Sequence, residues 1–223
     1  MATTPLLERA RAGDDARLEM GYLEYGGTRC YVARARGSVG KRPVVLILHG
    51  GRGPTPHIED IARRAASEGF AAVAPDLRAG GADRDQTLAN LLAIIDDLAA
   101  RPESGAIGAI GFRSGGTVAN QLAVRSPKLA AASVFYGEVP PVLDVPRIKA
   151  RLLLHYAERD ERVNTAVPAY EAALNAAGIQ NAIHVYPGTA HGFFSEEDGG
   201  RYNAEAAKLA WSRTVAFLKD ALR

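Results

Sequence analysis

The sequence predicts an α/β protein with a mostly parallel central sheet and helices on both faces. Two observations predict this fold class: six short, nearly continuous apolar runs, and amphipathic helical periods that separate most of them. Continuous apolar runs are expected where both faces of a sheet are covered. Alternation of strand with helix is typical of parallel sheets with right-handed crossovers. The predicted strands are 44–48, 71–74, 106–110, 132–136, 152–156 and 183–186.

Four helical stripes accompany these strands. In the first, Thr55 can cap the helix and Pro56 can open it, and the period ends before Gly69. The second covers 88–99, the third covers 167–177 with Gly178 as its stop, and the fourth covers 207–218. Segment 21–35 alternates between apolar and polar residues, which predicts antiparallel strands at one edge of the sheet.

Composition restricts the class of protein. A chain of 223 residues, 47% hydrophobic and 23% charged, fits one domain over 1–223, with 1–17 as a peripheral N-terminal segment. The 27 basic and 25 acidic residues are mixed along the chain, so no nucleic-acid partner is expected. Without a signal peptide or a bilayer-length apolar run, we expect a soluble cytoplasmic protein with no membrane partner. The single cysteine excludes an intramolecular disulfide and a multi-cysteine metal site.

An unusual residue, Arg113, follows the predicted strand 106–110. The spacing Gly-x-nucleophile-x-Gly is typical of a strained strand-turn-helix elbow that presents a nucleophile at the top of a sheet. Gly111 and Gly115 occupy the glycine positions, and Arg113 occupies the central one. Arginine stays protonated in proteins and cannot attack a carbonyl carbon. The pattern therefore predicts an elbow without its usual nucleophile.

Two further candidates follow strands at the same end of the predicted sheet, where an α/β protein places its ligand site. Asp160 follows strand 152–156, and His191 lies in a predicted flexible loop, 187–193, after strand 183–186. The order elbow, acid, histidine is that of the α/β-hydrolase fold. His49, at the end of strand 44–48, is a candidate to line the same pocket, whereas Cys30 is interpreted as a plain strand residue.

Several longer motifs, taken in order, resemble the dienelactone hydrolase family over roughly residues 18 to 220. These are 57–64, 68–70, 74–77, 155–160, 186–193, and 201–207 with 210–211. The resemblance implies an α/β-hydrolase fold and hydrolysis of a lactone or small carboxylic ester through a Cys-His-Asp triad. It also implies that no metal and no organic cofactor is needed.

Carried over by position, the resemblance assigns roles to individual residues. Asp160 would orient His191, and His191 would act as general base and then as acid. The backbone N–H of Ser114 would be one oxyanion donor and that of Gly51 the other, with Gly50 and Arg52 in the same binding loop. The sequence departs from the family pattern at two positions. Arg113 replaces the nucleophilic cysteine, and Gly50 replaces the glutamate that usually follows the strand.

These departures leave alternative functions open. The first is a carboxylesterase-like hydrolase of small esters or lactones with a nonstandard site, in which either Ser114 or a water activated by His191 and Asp160 attacks. The position of Ser114, one residue beyond the elbow tip, would rotate its hydroxyl away from the site. The second is a catalytically inactive relative that binds a small anion, such as a carboxylate, through Arg113. A structural remnant with no ligand is the third. Arg113 could also pair with Asp160 or fold out to solvent, and the substrate and oligomeric state stay open.

Overall fold

The computed structural model describes residues 16–37, 40–49, 54–77 and 83–223. Within these ranges the strands are β1 (Leu18–Tyr25), β2 (Thr28–Ala35), β3 (Arg42–Leu48), β4 (Ala71–Pro75), β5 (Ser104–Phe112), β6 (Leu129–Phe135), β7 (Arg151–Arg159) and β8 (Asn181–Ala190). The α-helices are α1 (Pro56–Ser67), α2 (Arg84–Ala100), α3 (Ser114–Arg125), α4 (Glu161–Asn164), α5 (Val167–Ala176) and α6 (Ala204–Ala221). Two compact units divide the chain: Met1–Ile47 with Arg52–Ile107, and Leu48–Gly51 with Gly108–Arg223.

The first unit orders its strands β1-β2-β4-β3, followed by the first half of β5. β1 and β2 form an antiparallel pair, β2 is antiparallel to β4, and β4 is parallel to β3. Helices cover both faces of the sheet at β2. Neighbouring side chains on a strand point to opposite faces, and two consecutive residues of β2 lie beside different helices. The Tyr31 hydroxyl accepts a hydrogen bond from Nη1 of Arg63 on α1 at 3.4 Å. Val32 lines a cavity together with Leu98 of α2.

The second unit contains the second half of β5, followed by β6, β7 and β8 in that order. β7 is parallel to both of its neighbours. Helices again lie on both faces. His155 of β7 is hydrogen-bonded to Thr214 of α6, whereas the next residue, Tyr156, lies within electrostatic reach of Tyr170 on α5. The predicted α/β architecture with a mostly parallel sheet is therefore confirmed.

Most predicted elements are present, with differences at their ends. Thr55 occupies the N-cap of α1, but its side chain makes no capping hydrogen bond. The prediction of a loop over 187–193 is wrong for residues 187–190, because β8 continues to Ala190. Pro187 is tolerated there because β8 is an edge strand, where a missing N–H need not break a ladder. The predicted peripheral segment 1–17 lies almost wholly outside the described residues. Among the described helices, none combines the length and apolar character needed to cross a membrane.

A buried polar network connects three strands of the second unit to α6. His155 is fully buried, with Nδ1 at 2.8 Å from the Tyr186 hydroxyl and Nε2 at 3.0 Å from Oγ1 of Thr214. Thr214 also lies 3.0 Å from the Ser133 hydroxyl. Burial lowers the pKa of His155 well below its usual value, and the nearby His184 and Arg213 act in the same direction. The ring is therefore neutral in the folded protein near neutral pH.

We expect this network to make stability depend on pH. The unfolded chain protonates His155 below about pH 6.5, whereas the folded chain does not, so the free energy of unfolding falls as pH decreases. The limiting slope for one such group is about 1.4 kcal/mol per pH unit. Urea unfolding at about pH 7.5 and about pH 5.5 measures it. His155→Gln should lose less stability than the wild type between these two pH values, and an equal loss in both proteins would contradict the assignment.

Candidate functional site

The predicted elbow is built from a single residue. β5 ends at Phe112 and α3 begins at Ser114, so Arg113 alone makes the turn, with φ 57° and ψ −122°. Its N–H donates to the Phe135 carbonyl at 3.1 Å, and its carbonyl accepts the Thr117 N–H at 3.0 Å. A residue with a side chain in this left-handed region costs on the order of 1–3 kcal/mol and persists only where the surroundings hold it. The strained elbow geometry is therefore present with arginine at its tip.

Glycines allow α3 to approach the strands at backbone distance. A Cβ placed on Gly115 would lie 2.2 Å from the Leu48 carbonyl oxygen and 2.6 Å from that of His49. A Cβ on Gly111 would lie 2.3 Å from the Gly115 carbonyl oxygen. Because these neighbours are backbone atoms, no side-chain movement could relieve the overlap. The two glycines of the sequence motif are thus required by close packing around the turn.

Asp160 and His191 are brought together by β7 and β8. Asp160 directly follows β7 and precedes α4, while His191 directly follows β8. Nδ1 of His191 donates to Oδ2 of Asp160 at 2.6 Å, and the two side chains are 22% and 5% exposed. A carboxylate can only accept, so this bond fixes the proton on Nδ1 and leaves Nε2 as the nitrogen with a lone pair. The pair therefore has the arrangement of a general base with its orienting acid.

The ends of the two strands that carry this pair are tied together at one residue, Gly188. Oε2 of Glu158 accepts the Gly188 N–H at 2.9 Å, and the Arg159 guanidinium donates to the Gly188 carbonyl. The strand register shifts at this point, between Ala157 and Arg159. The residues just before Asp160 thus hold the residues just before His191, which restricts the separation of the two side chains.

Tyr136 lies beside His191, and the sequence does not reveal this because Tyr136 extends the apolar run of β6 and is predicted as a strand residue. In the structure it follows β6 with a positive φ of 41°, and its N–H donates to the His155 carbonyl at 2.7 Å. Its ring centroid lies 4.9 Å from that of His191. Burial raises the pKa of the Tyr136 hydroxyl, and the Arg113 guanidinium opposes the shift. Tyr136 therefore lies within electrostatic reach of Arg113 and packs against the ring of His191.

The Arg113 side chain is half-buried, and its Nη2 atom has no exposure to solvent. Together with its electrostatic effect on the Tyr136 hydroxyl, this burial indicates that the guanidinium lies toward the interior of the site. The alternative of an arginine extended fully into solvent does not fit this placement. Sequence alone could not decide between these directions, because both are open to a long flexible side chain.

The structure describes two of the remaining predicted site residues, Ser114 and His49. Ser114 is exposed, and as the first residue of α3 its N–H has no acceptor within the helix. His49 is 6% exposed, and its carbonyl lies against the start of α3. Gly50, Gly51 and Arg52, predicted for the oxyanion and binding loop, lie outside the described residues.

Cys30 is a buried strand residue whose surroundings oppose formation of a thiolate. Cys30 is fully buried in β2, its thiol donates to the Thr28 carbonyl at 3.3 Å, and burial raises its pKa to about 12. A thiol with such a pKa carries almost no thiolate at neutral pH. In the part of the chain that the structure describes, no three His, Cys, Asp or Glu side chains are grouped so that they could hold a metal ion.

Comparison with known proteins identifies relatives along almost the whole chain. Residues 28–222 match the model of the dienelactone hydrolase family. A Synechocystis protein, provisionally named carboxymethylenebutenolidase, is 29% identical over 225 residues, covering 83% of this chain and 89% of the relative. Protein usf of Aquifex pyrophilus is 32% identical over 208 residues, covering 81% and 89%.

Solved structures support the same fold. A protein from Klebsiella pneumoniae, provisionally named dienelactone hydrolase, superposes with a TM-score of 0.83 and is 27% identical, covering 91% of this chain and 98% of its own. A dienelactone hydrolase-like promiscuous phosphotriesterase from metagenomic libraries has a TM-score of 0.84 at 24% identity, covering 93% and 100%. The predicted α/β-hydrolase fold is confirmed by these similarities.

Proposed function

The chain belongs to the dienelactone hydrolase family, and on that basis we propose that it hydrolyses small carboxylic esters or lactones with water, not a side chain, as the attacking nucleophile. One observation carries this proposal. His191 and Asp160 form a 2.6 Å hydrogen bond that leaves Nε2 of His191 available as a base. A purely structural role requires no such orientation of the imidazole. The substrate class follows the family.

The proposed reaction has two stages. In the first, Nε2 of His191 takes a proton from water while the water oxygen bonds to the acyl carbon. The carbonyl oxygen then becomes negative, and Asp160 stabilises the imidazolium. In the second, the bond between the acyl carbon and the leaving oxygen breaks as His191 returns its proton to that oxygen. The products are a carboxylic acid and an alcohol, or a hydroxy acid when the substrate is a lactone.

Two groups at the elbow are suited to stabilise the negative oxygen. The backbone N–H of Ser114 lies at the start of α3, where the helix dipole is positive. The Arg113 guanidinium adds a permanent positive charge. Because arginine cannot act as the nucleophile, its contribution in this proposal is electrostatic. Ser114 contributes its backbone N–H alone, since its hydroxyl lies on the exposed start of the helix.

A second candidate function is binding of a small carboxylate through Arg113 without turnover. The inward placement of the guanidinium favours it, because an arginine fork in a partly dry site binds carboxylates well. In this alternative, His191 and Asp160 would hold the two loops together. The two functions differ in whether removal of the imidazole stops hydrolysis.

Steady-state hydrolysis of 4-nitrophenyl acetate and of a small lactone tests the proposal. We expect the wild type to turn over and His191→Ala to lower kcat/KM by about 10²–10⁴-fold, the usual contribution of a general base. Ser114→Ala should leave kcat/KM unchanged, because only its N–H is used. His57→Ala is the matched control, because it removes a histidine of α1 that the proposed reaction does not use. Two results together would favour the second candidate instead. Wild type and His191→Ala would hydrolyse the ester at equal rates, and the wild type would bind acetate whereas Arg113→Gln would not.

A further inference from the structure

A cavity lies within the first unit. It has a volume of about 240 Å³. Arg42, Ala71 and Ser104, the first residues of β3, β4 and β5, line it. The elbow instead follows Phe112, the last residue of β5. Arg113, Asp160 and His191 are not among the residues that line the cavity, and the proposed reaction does not use it.

The inner wall of this cavity is apolar. Val32, Val44, Val73 and Leu98 line it, and each is at most 6% exposed. Val32 pairs with Val73 across β2 and β4, so their side chains share one face of the sheet. These side chains provide a dry surface for the apolar part of a ligand.

Two arginines of the polar wall are held in place by carboxylates. Nε of Arg34 donates to Glu19 at 3.1 Å, and Nε of Arg101 donates to Asp97 at 3.0 Å. Both bonds use the Nε edge, so they leave the donors on Nη1 and Nη2 of each guanidinium. Burial raises the pKa of Tyr25, another lining residue, and the charges of Arg101 and Arg34 oppose this shift. Both guanidiniums therefore lie within electrostatic reach of the same hydroxyl.

Arg42 is the lining arginine that no described carboxylate pairs with. Its Nη1 donates to the Ala35 carbonyl at 3.4 Å. Within the part of the chain that the structure describes, it forms no ion pair, unlike Arg34 and Arg101. Of the carboxylates that line the cavity, Glu19 is paired with Arg34. Glu103 is exposed, lies within electrostatic reach of Arg101 and Tyr25, and forms no described ion pair with Arg42. The polar wall thus presents several N–H donors and one positive charge without a described carboxylate partner.

From this arrangement we propose that the cavity is a binding site for a small carboxylate with a compact apolar body, such as an aromatic or short branched acid. The carboxylate would pair with Arg42 and accept from the free edges of Arg34 and Arg101, and the body would pack on the valines. Ligand pockets for drug-sized molecules begin at roughly 300 Å³, so this cavity suits a smaller ligand. The site is independent of the proposed hydrolysis.

Calorimetric titration of the full chain with sodium benzoate tests the proposal, with benzamide as the neutral probe of the same shape. We expect benzoate to bind more tightly than benzamide. Arg42→Gln should weaken benzoate binding by about tenfold or more, because it removes a hydrogen bond to a charged group. Arg125→Gln, at an exposed position at the end of α3, is the matched control.

Two further variants keep the test decisive. Ala71→Leu adds bulk inside the cavity and should abolish binding while circular dichroism reports an unchanged fold. Arg113→Gln removes any carboxylate binding at the elbow, so benzoate binding that depends on Arg42 should persist in this variant. The proposal is overturned if the wild type does not bind benzoate, if benzamide binds equally well, or if Arg113→Gln, and not Arg42→Gln, removes binding.

Discussion

Gly115→Ala is expected to destabilise the protein by at least about 3 kcal/mol, the upper range for overpacking a filled site. The added methyl group would overlap the Leu48 and His49 carbonyl oxygens at 2.2 and 2.6 Å. Because both are backbone atoms, relief requires moving α3 away from the segment that follows β3. Such a shift would also displace Arg113, which lies two residues before Gly115 and directly precedes the same helix.

Urea unfolding measures this effect, and Gly200→Ala is its matched control. A Cβ on Gly200 would meet nothing within 4 Å, and its φ lies outside the left-handed region. We expect the control to keep the wild-type free energy of unfolding. A Gly115→Ala protein as stable as the control would mean that the close approach of α3 is not as described.

Arg113→Cys is expected to raise kcat/KM on 4-nitrophenyl acetate by about 10² or more, because covalent attack by an activated thiolate would replace the proposed direct attack by water. The cysteine would stand at the elbow tip, where φ is 57°, beside the start of α3. A helix N-terminus and an adjacent imidazole both favour the thiolate. The variant should also release 4-nitrophenol in a rapid burst, followed by slower steady turnover.

Stopped-flow absorbance measures this burst, and Arg113→Ala is the control. The alanine variant has neither the positive charge nor a nucleophile, so we expect it to be slower than the wild type. Adding His191→Ala to Arg113→Cys should remove the gain. If Arg113→Cys is no faster than Arg113→Ala, the elbow tip does not face the histidine.

The elbow, acid and histidine could be predicted because their positions depend on strand ends, which apolar runs reveal. Arg113, Asp160 and His191 each follow a strand of the second unit. Tyr136 could not be found this way. It continues the apolar pattern of β6, and only the folded backbone, with its positive φ, turns it toward His191.

Other features depend on distances between elements that are remote in sequence. The end of β8 was placed too early because Pro187 and Gly188 look like a turn, whereas Glu158 and Arg159 hold Gly188 in line. The cavity in the first unit likewise combines residues from β1 to β5 with Leu98 and Arg101. No local pattern reveals such a space.

The intact mass of the wild-type protein, quenched during turnover of 4-nitrophenyl acetate, tests the central claim most directly. Direct attack by water predicts steady product formation while the protein mass stays unchanged, whereas Arg113→Cys treated identically should carry one acetyl group. An acetyl group on the wild-type chain, lost in Ser114→Ala, would contradict the water mechanism. A wild type without turnover, beside an active Arg113→Cys, would contradict hydrolysis by the natural chain altogether.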